Sequence, residues 1–160
     1  MPRYSSHALP AGRFVPGQTA RPEPGSHAAP PVPAGWEPDD WRRLDAWLWA
    51  VDLFNAGYWW ECHETLEALW HAAGRTTPPA RFVQALIHLS AACLNDHRGR
   101  RVAARRQAAR AVRGLRAAHP MGPCVMGVAL DPLAVSVVRA FSDRDGSPSG
   151  LRILLEQEAQ

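Results

Sequence analysis

Apolar side chains recur every three or four residues through most of this chain, and short breaks containing glycine or proline interrupt them. This spacing places the apolar residues on one face of an α-helix. We therefore predict an all-α fold with five helices and no strand. The short connections favour a small antiparallel bundle of four to five helices. The predicted helices cover residues 39–54, 58–73, 80–96, 101–118 and 131–141.

Two of these helices begin at residues that are typical of helix starts. Thr77 precedes two prolines and is a candidate N-cap for the third helix. Asp131 precedes Pro132 and is a candidate N-cap for the last helix. The third helix is apolar over more than half of its circumference, so we predict that it lies at the centre of the bundle.

The first 37 residues differ in composition, because proline, glycine, serine and alanine predominate there. Such a segment buries too little apolar surface to offset the entropy lost on ordering, so we predict an extended or disordered arm. The helical domain is then residues 38–145, and residues 146–160 form a C-terminal tail in which a helix can form. No run reaches the roughly 18 apolar residues of a membrane span. We expect no membrane partner and a cytoplasmic location.

Charge is distributed unevenly along the chain. Eight acidic residues and two arginines lie within residues 37–67, whereas residues 98–116 contain eight arginines and no acidic residue. We expect these two regions to face one another, within the chain or across a homo-oligomer. An arginine-rich helix can also follow nucleic-acid phosphates. Aromatic residues that would stack on bases are not interleaved with it, so a nucleic-acid partner is not expected.

The residues that could carry chemistry are concentrated in the sequence YWWECHETLEALW at residues 58–70. His63 and Glu67 stand one turn apart on the same face of the second helix, at the edge of its apolar stripe. Glu64 and Glu61 are predicted to point further toward solvent. A partly buried imidazole beside a partly buried carboxylate is an arrangement that binds divalent metal ions.

The function of this pair depends on a further ligand. A hydrolytic metal ion needs three protein ligands and an open position. His63 and Glu67 supply two, and His88 or His97 on the third helix is a candidate for the next, with Gln84 one turn before His88. The alternative is structural: His63 and Glu67 bond to each other, or to arginines of the fourth helix, as a buried polar seam. The protein would then be a non-catalytic module that dimerises or docks a partner through its tryptophan-rich and acidic faces.

The second helix and its surroundings resemble a known family. The sequence FNAGY at residues 54–58 and the HxxxExxW motif after it are similar to those of the domain of unknown function 309, a bacterial and archaeal family. The resemblance runs from about residue 41 to about residue 141. It implies a small all-α bundle and an activity often described as a predicted metal-dependent hydrolase. Its motif positions fall on these residues: His63, Glu67 and Trp70, with Glu61 and Glu64 beside them and Gln84 on the next helix.

On this interpretation His63 and Glu67 bind the metal ion. Glu64 is then a general base or an outer neighbour of the ligands. Relatives often carry a histidine near the end of the third helix, where this chain has Leu94 and Asn95. The third ligand is therefore the open question that the sequence leaves.

Overall fold

The computed structural model describes residues 2–24, 29–142 and 146–156. Five α-helices lie within these residues, and the all-α prediction is confirmed. Each helix packs mainly on the helices next to it in sequence. The first residue of α2 lies against the last residue of α3, so these two helices are antiparallel. The helices are α1 (Asp45–Asn55), α2 (Trp59–Ala72), α3 (Pro78–His97), α4 (Arg101–Ala117) and α5 (Leu130–Ala140).

The central position predicted for α3 follows from its wide apolar surface, which packs on both α2 and α4. The predicted cap is also present, because the Ala80 N–H donates to Thr77 Oγ1 over 3.3 Å. α3 and α4 approach one another closely at Gly114. A Cβ atom at that position would lie only 2.6 Å from the Cβ of Ala85.

Two helix starts differ from the prediction. The first predicted helix begins as a 3₁₀ helix (Pro38–Arg43), and α1 starts only after the chain turns at Leu44. Asp131 is not an N-cap, because it lies within the first turn of α5. Its carboxylate instead lies 2.8 Å from Nε2 of His119. In both places the sequence correctly indicated that the chain turns, but the predicted first residue of the helix was wrong.

A two-stranded hairpin contradicts the prediction that the chain has no strand. β1 (Cys124–Val125) and β2 (Val128–Ala129) are antiparallel. Met126 and Gly127 connect them with φ values of 49° and 79°, which match a type I′ turn. Strands of two residues are too short to show alternation, and Met-Gly is not the usual Asn-Gly signal of this turn.

The described part of the arm, residues 2–24 and 29–37, contains no α-helix or strand but lies against α1 and α2. The buried Asp52 of α1 accepts hydrogen bonds from the backbone N–H groups of Tyr4 and Ser5, both over 2.9 Å. Val15 and Trp36 are buried in the core. The sequence did not predict these contacts, because composition does not show which surface a proline-rich segment covers.

The described part of the tail, residues 146–156, is mostly extended and has one 3₁₀ turn at Pro148–Gly150. The helix considered for this segment is not present there. The side-chain amide of Asn55 donates to the Ile153 carbonyl and accepts from the Ile153 N–H, each over 2.8 Å. The predicted domain boundary at residue 145 lies outside the described residues.

The arginine-rich helix α4 packs on α3 and α5, whereas the acidic residues of 37–67 lie on the arm, the 3₁₀ helix Pro38–Arg43, α1 and α2. Pairing of these two regions across a homo-oligomer stays a prediction. The α4 arginines that form no ion pair with another described residue are Arg101, Arg106, Arg110, Arg113 and Arg116.

No helix in the described part of the chain combines the length and the apolar character that a bilayer crossing requires.

Candidate metal centre

The candidate site lies on α2, whose position is set by the turn before it. α1 ends at Asn55, and Gly57 adopts a φ of 83°, which glycine reaches without the steric cost of a side chain. α2 then folds back against α1 and places one side of its middle turns toward α3. The residues His63, Glu64 and Glu67 lie on these turns.

The three side chains lie close together, with each carboxylate nearest a different nitrogen of the imidazole. Nδ1 of His63 lies 3.7 Å from Oε1 of Glu64, and Nε2 of His63 lies 3.9 Å from Oε1 of Glu67. One ligand atom from each residue falls within 4.8 Å of the other two. Both separations from the imidazole exceed the length of a hydrogen bond, which is typically about 2.7–3.2 Å. The group is therefore brought together by the helix and not by bonds among its members.

The imidazole of His63 has an unusual environment. Its side chain is only 28% exposed, and its Nδ1 atom is buried without a hydrogen-bond partner among the described residues. A buried polar atom without a partner costs about 1–3 kcal/mol, and folded proteins rarely leave one. A metal ion or a water molecule next to this nitrogen would satisfy it. The residues present thus fit a divalent cation.

A groove of about 260 Å³ opens beside His63 and Glu67, between α2 and α3. Trp70 forms part of one wall, and its indole N–H donates to the Arg75 carbonyl over 3.0 Å. Gln84 lines the opposite side. The groove therefore contains four of the positions that the family resemblance indicates, namely His63, Glu67, Trp70 and Gln84. The other lining residues are Ile87, His88, Ala91 and Gln107.

His88 lies in this groove but is not one of the three converging groups. Its Nδ1 lies 2.8 Å from Oε1 of Gln107. Burial is the main cause that lowers the pKa of His88, and the charges of Arg110 and His63 lower it further, while the Gln107 contact opposes them. The lowered pKa favours the neutral imidazole, which is suited to binding a polar group in the groove.

Residues 47–107 match the model of a family described as a domain of unknown function, DUF309. This segment of the chain is similar to the DUF309 domain. The matched segment begins in α1 and ends in α4, so it contains all three converging residues and the whole lining of the groove. The resemblance described above is confirmed for this segment. No curated protein and no solved structure matches the chain.

Two of the predicted site residues lie elsewhere than expected. Glu61 was predicted to point toward solvent, but it is only 3% exposed. The arm covers it, and the Phe14 N–H donates to Glu61 Oε1 over 2.6 Å. His97 is exposed at the end of α3. Its ring packs 5.6 Å from that of Trp59 and does not line the groove, so the structure does not bring His97 to His63.

Sequence reasoning missed the roles of Gln107 and of the Phe14 backbone N–H. Gln107 is the one uncharged polar residue of α4, which is the only signal that could have drawn attention to it. Phe14 contributes its backbone N–H, which no side-chain pattern can reveal. Both residues contact the DUF309 motif region through tertiary structure alone.

Proposed function

We propose that this protein binds a divalent metal ion through His63, Glu64 and Glu67. The observation that carries the proposal is the convergence of these three groups without hydrogen bonds among them, with a buried imidazole nitrogen left unpartnered. One imidazole and two carboxylates suit first-row divalent ions such as Zn²⁺ and Mn²⁺. Glu64, considered from the sequence as a general base, is in this proposal the third ligand.

The arrangement supports metal-dependent hydrolysis as the reaction class. An ion with three protein ligands and an open position acts as a Lewis acid toward water or a carbonyl group. The groove beside the ligands would hold the substrate. Gln84 and His88 offer hydrogen bonds to its polar groups, and Trp70 and Ile87 shield one side from water.

The alternative of a structural polar seam has less support. A seam requires His63 to hydrogen-bond to Glu67 or to an arginine, and its separation from Glu67 Oε1 is 3.9 Å. Docking through a tryptophan-rich face is also less favoured, because four of the seven tryptophans are buried in the core. The buried ones are Trp36, Trp41, Trp47 and Trp49.

Metal binding to untagged protein tests the proposal. We expect isothermal titration calorimetry with Zn²⁺ and Mn²⁺ to detect one bound ion per chain, and His63→Ala and Glu67→Gln to abolish its binding. The matched control is His119→Ala, because His119 is an exposed histidine that pairs with Asp131 outside the site. His88→Ala should also retain the ion. Equal binding by the original chain and by His63→Ala would overturn the proposal.

A cytoplasmic location is a further part of the proposal. Cys62, Cys93 and Cys124 are free thiols, and free thiols are typical of reducing compartments. Fractionation of cells that produce the full chain, followed by detection with an antibody, would test the location.

A further inference from the structure

A second cavity lies between the arm and α2, and the proposed metal centre does not account for it. Its volume is about 370 Å³, which falls in the range of small-molecule sites. Its walls are mostly apolar. Trp49 of α1 and Trp60 of α2 form the aromatic part, and Pro22, Pro30 and Val32 of the arm add further apolar surface.

Glu61 gives this cavity a buried acidic group. Its Oε1 accepts the Phe14 N–H, but its Oε2 is buried and has no hydrogen-bond partner among the described residues. A carboxylate oxygen in that position lacks the donor that folded proteins normally supply. Glu61 lines the cavity, so a molecule bound there lies next to this carboxylate and supplies the donor once the side chain turns Oε2 toward it.

The charges around the cavity favour a cation as that molecule. Glu23, Glu61 and Glu64 line it with three carboxylates, and Arg21 contributes the one positive charge among the described residues that line it. A charged N–H donor forms a stronger hydrogen bond to a carboxylate than a neutral donor does. Indole rings also stabilise a neighbouring cation through their π faces. A carboxylate or phosphate ligand would instead be repelled.

We propose that this cavity binds a small organic ammonium ion that carries an apolar group. The ammonium donates a hydrogen bond to Oε2 of Glu61, and the apolar group packs against Trp49 and Trp60. Glu64 lines this cavity and also belongs to the proposed metal ligands, so the two sites are neighbours. Binding of the ammonium ion does not require the metal ion.

Calorimetry on the full chain in the presence of a chelator tests the proposal, with benzylammonium as the probe. Benzyl alcohol and benzoate have similar size and replace the cation by a neutral or an anionic group. We expect benzylammonium to bind about tenfold more tightly than benzyl alcohol, because a hydrogen bond between charged groups is stronger than a neutral one. Benzoate should not bind. Glu61→Gln should remove the preference, whereas Glu37→Gln, at an exposed acid that does not line the cavity, should keep it.

A second variant tests the cavity without changing the carboxylate, in case Glu61→Gln disturbs folding. Ala68 is exposed on α2 and lines the cavity, so Ala68→Leu fills part of it. We expect Ala68→Leu to weaken benzylammonium binding and Ala117→Leu, at an exposed position of α4, to leave it unchanged. His63→Ala should bind the amine normally even where it loses the metal ion. Equal binding of amine and alcohol, absence of amine binding, or full binding by Ala68→Leu would overturn the proposal.

Discussion

At the scale of single residues, the buried carboxylate of Asp52 holds the start of the chain in place. It accepts hydrogen bonds from Tyr4 N–H over 2.9 Å, from the Ser5 hydroxyl over 2.8 Å and from Arg3 Nε over 3.1 Å. We expect Asp52→Ala to lower the free energy of unfolding by about 2–4 kcal/mol, because several donors lose their acceptor together. Urea-induced unfolding followed by circular dichroism measures this change.

The matched control for that prediction is Asp45→Ala. Asp45 also lies on α1, but its side chain is 65% exposed and its carboxylate is 3.5 Å from His7. An exposed ion pair contributes little, so we expect a loss below about 1 kcal/mol. A similar loss in both variants would show that the arm does not depend on the buried carboxylate.

A second prediction at this scale concerns the Cys62 thiol. Burial raises its pKa from 9.0 to about 12, while the Ser90 hydrogen bond lowers it and the Glu61 charge raises it. The unfolded chain therefore loses this proton at lower pH than the folded chain does. The stability due to the protonated thiol is complete below pH 9.0 and is lost as the pH rises toward about 12.

We accordingly expect Cys62→Ala to reduce the loss of stability in urea titrations between about pH 8 and about pH 10. Some loss should persist, because burial also raises the pKa of Cys93. Cys124→Ala should change the pH dependence less, since Cys124 is only partly buried. An unchanged alkaline slope in Cys62→Ala would contradict the prediction.

The sequence predicted the part of the candidate site that lies within one helix, α2. The spacing of His63 and Glu67 follows from the helical repeat, so their proximity was predictable. The burial of Glu61 was not predictable, because the N–H that donates a hydrogen bond to it belongs to Phe14, 47 residues earlier. The partner of His88 is likewise Gln107 on another helix. Local periodicity shows which residues share a face, but it does not show what covers that face.

At the scale of the elements, the packing of α3 on α4 depends on Gly114. Helix propensity alone predicts that Gly114→Ala stabilises the chain by about 1 kcal/mol. The new Cβ would lie 2.6 Å from the Cβ of Ala85 and 3.2 Å from its Cα. We therefore expect Gly114→Ala to lower the free energy of unfolding by about 1–3 kcal/mol, because the helices must move apart. Chemical denaturation of the two proteins directly measures whether the free energy of unfolding rises or falls.

The double variant Ala85→Gly/Gly114→Ala serves as the control for this contact. It restores the space between α3 and α4, so its loss of stability should be smaller than the sum of the two single losses. Additive losses, or a stabilised Gly114→Ala, would show that the helices accommodate the methyl group without cost.

The elements differ in how well the sequence predicted them. α2, α3 and α4 each have several turns of apolar periodicity, and their predicted ends lie close to the observed ones. The helix start at Leu44 and the hairpin at Met126–Gly127 depend on single residues whose backbone angles a periodic pattern does not encode. Long regular elements were therefore predictable, and the irregular connections were not.

At the scale of the whole molecule, both terminal segments of the described chain pack near α1. The Leu155 N–H donates to the Tyr4 hydroxyl over 3.2 Å, which joins the tail to the arm. Asn55, the last residue of α1, pairs with the backbone of Ile153. Trp36 at the other end of the arm donates its indole N–H to the Leu69 carbonyl of α2. Composition predicted an extended arm but not these attachments.

These contacts predict that the arm and the helical bundle unfold together, although the sequence divides them into separate regions at residue 37. The amides of Tyr4 and Phe14 donate to the buried carboxylates of Asp52 and Glu61. In hydrogen exchange at increasing urea, we expect both amides to lose protection at the same urea concentration as Leu86 in the centre of α3. Asp52→Ala should release Tyr4 alone at lower urea. Early loss at both amides in the unaltered chain would instead identify the arm as an independently unfolding segment.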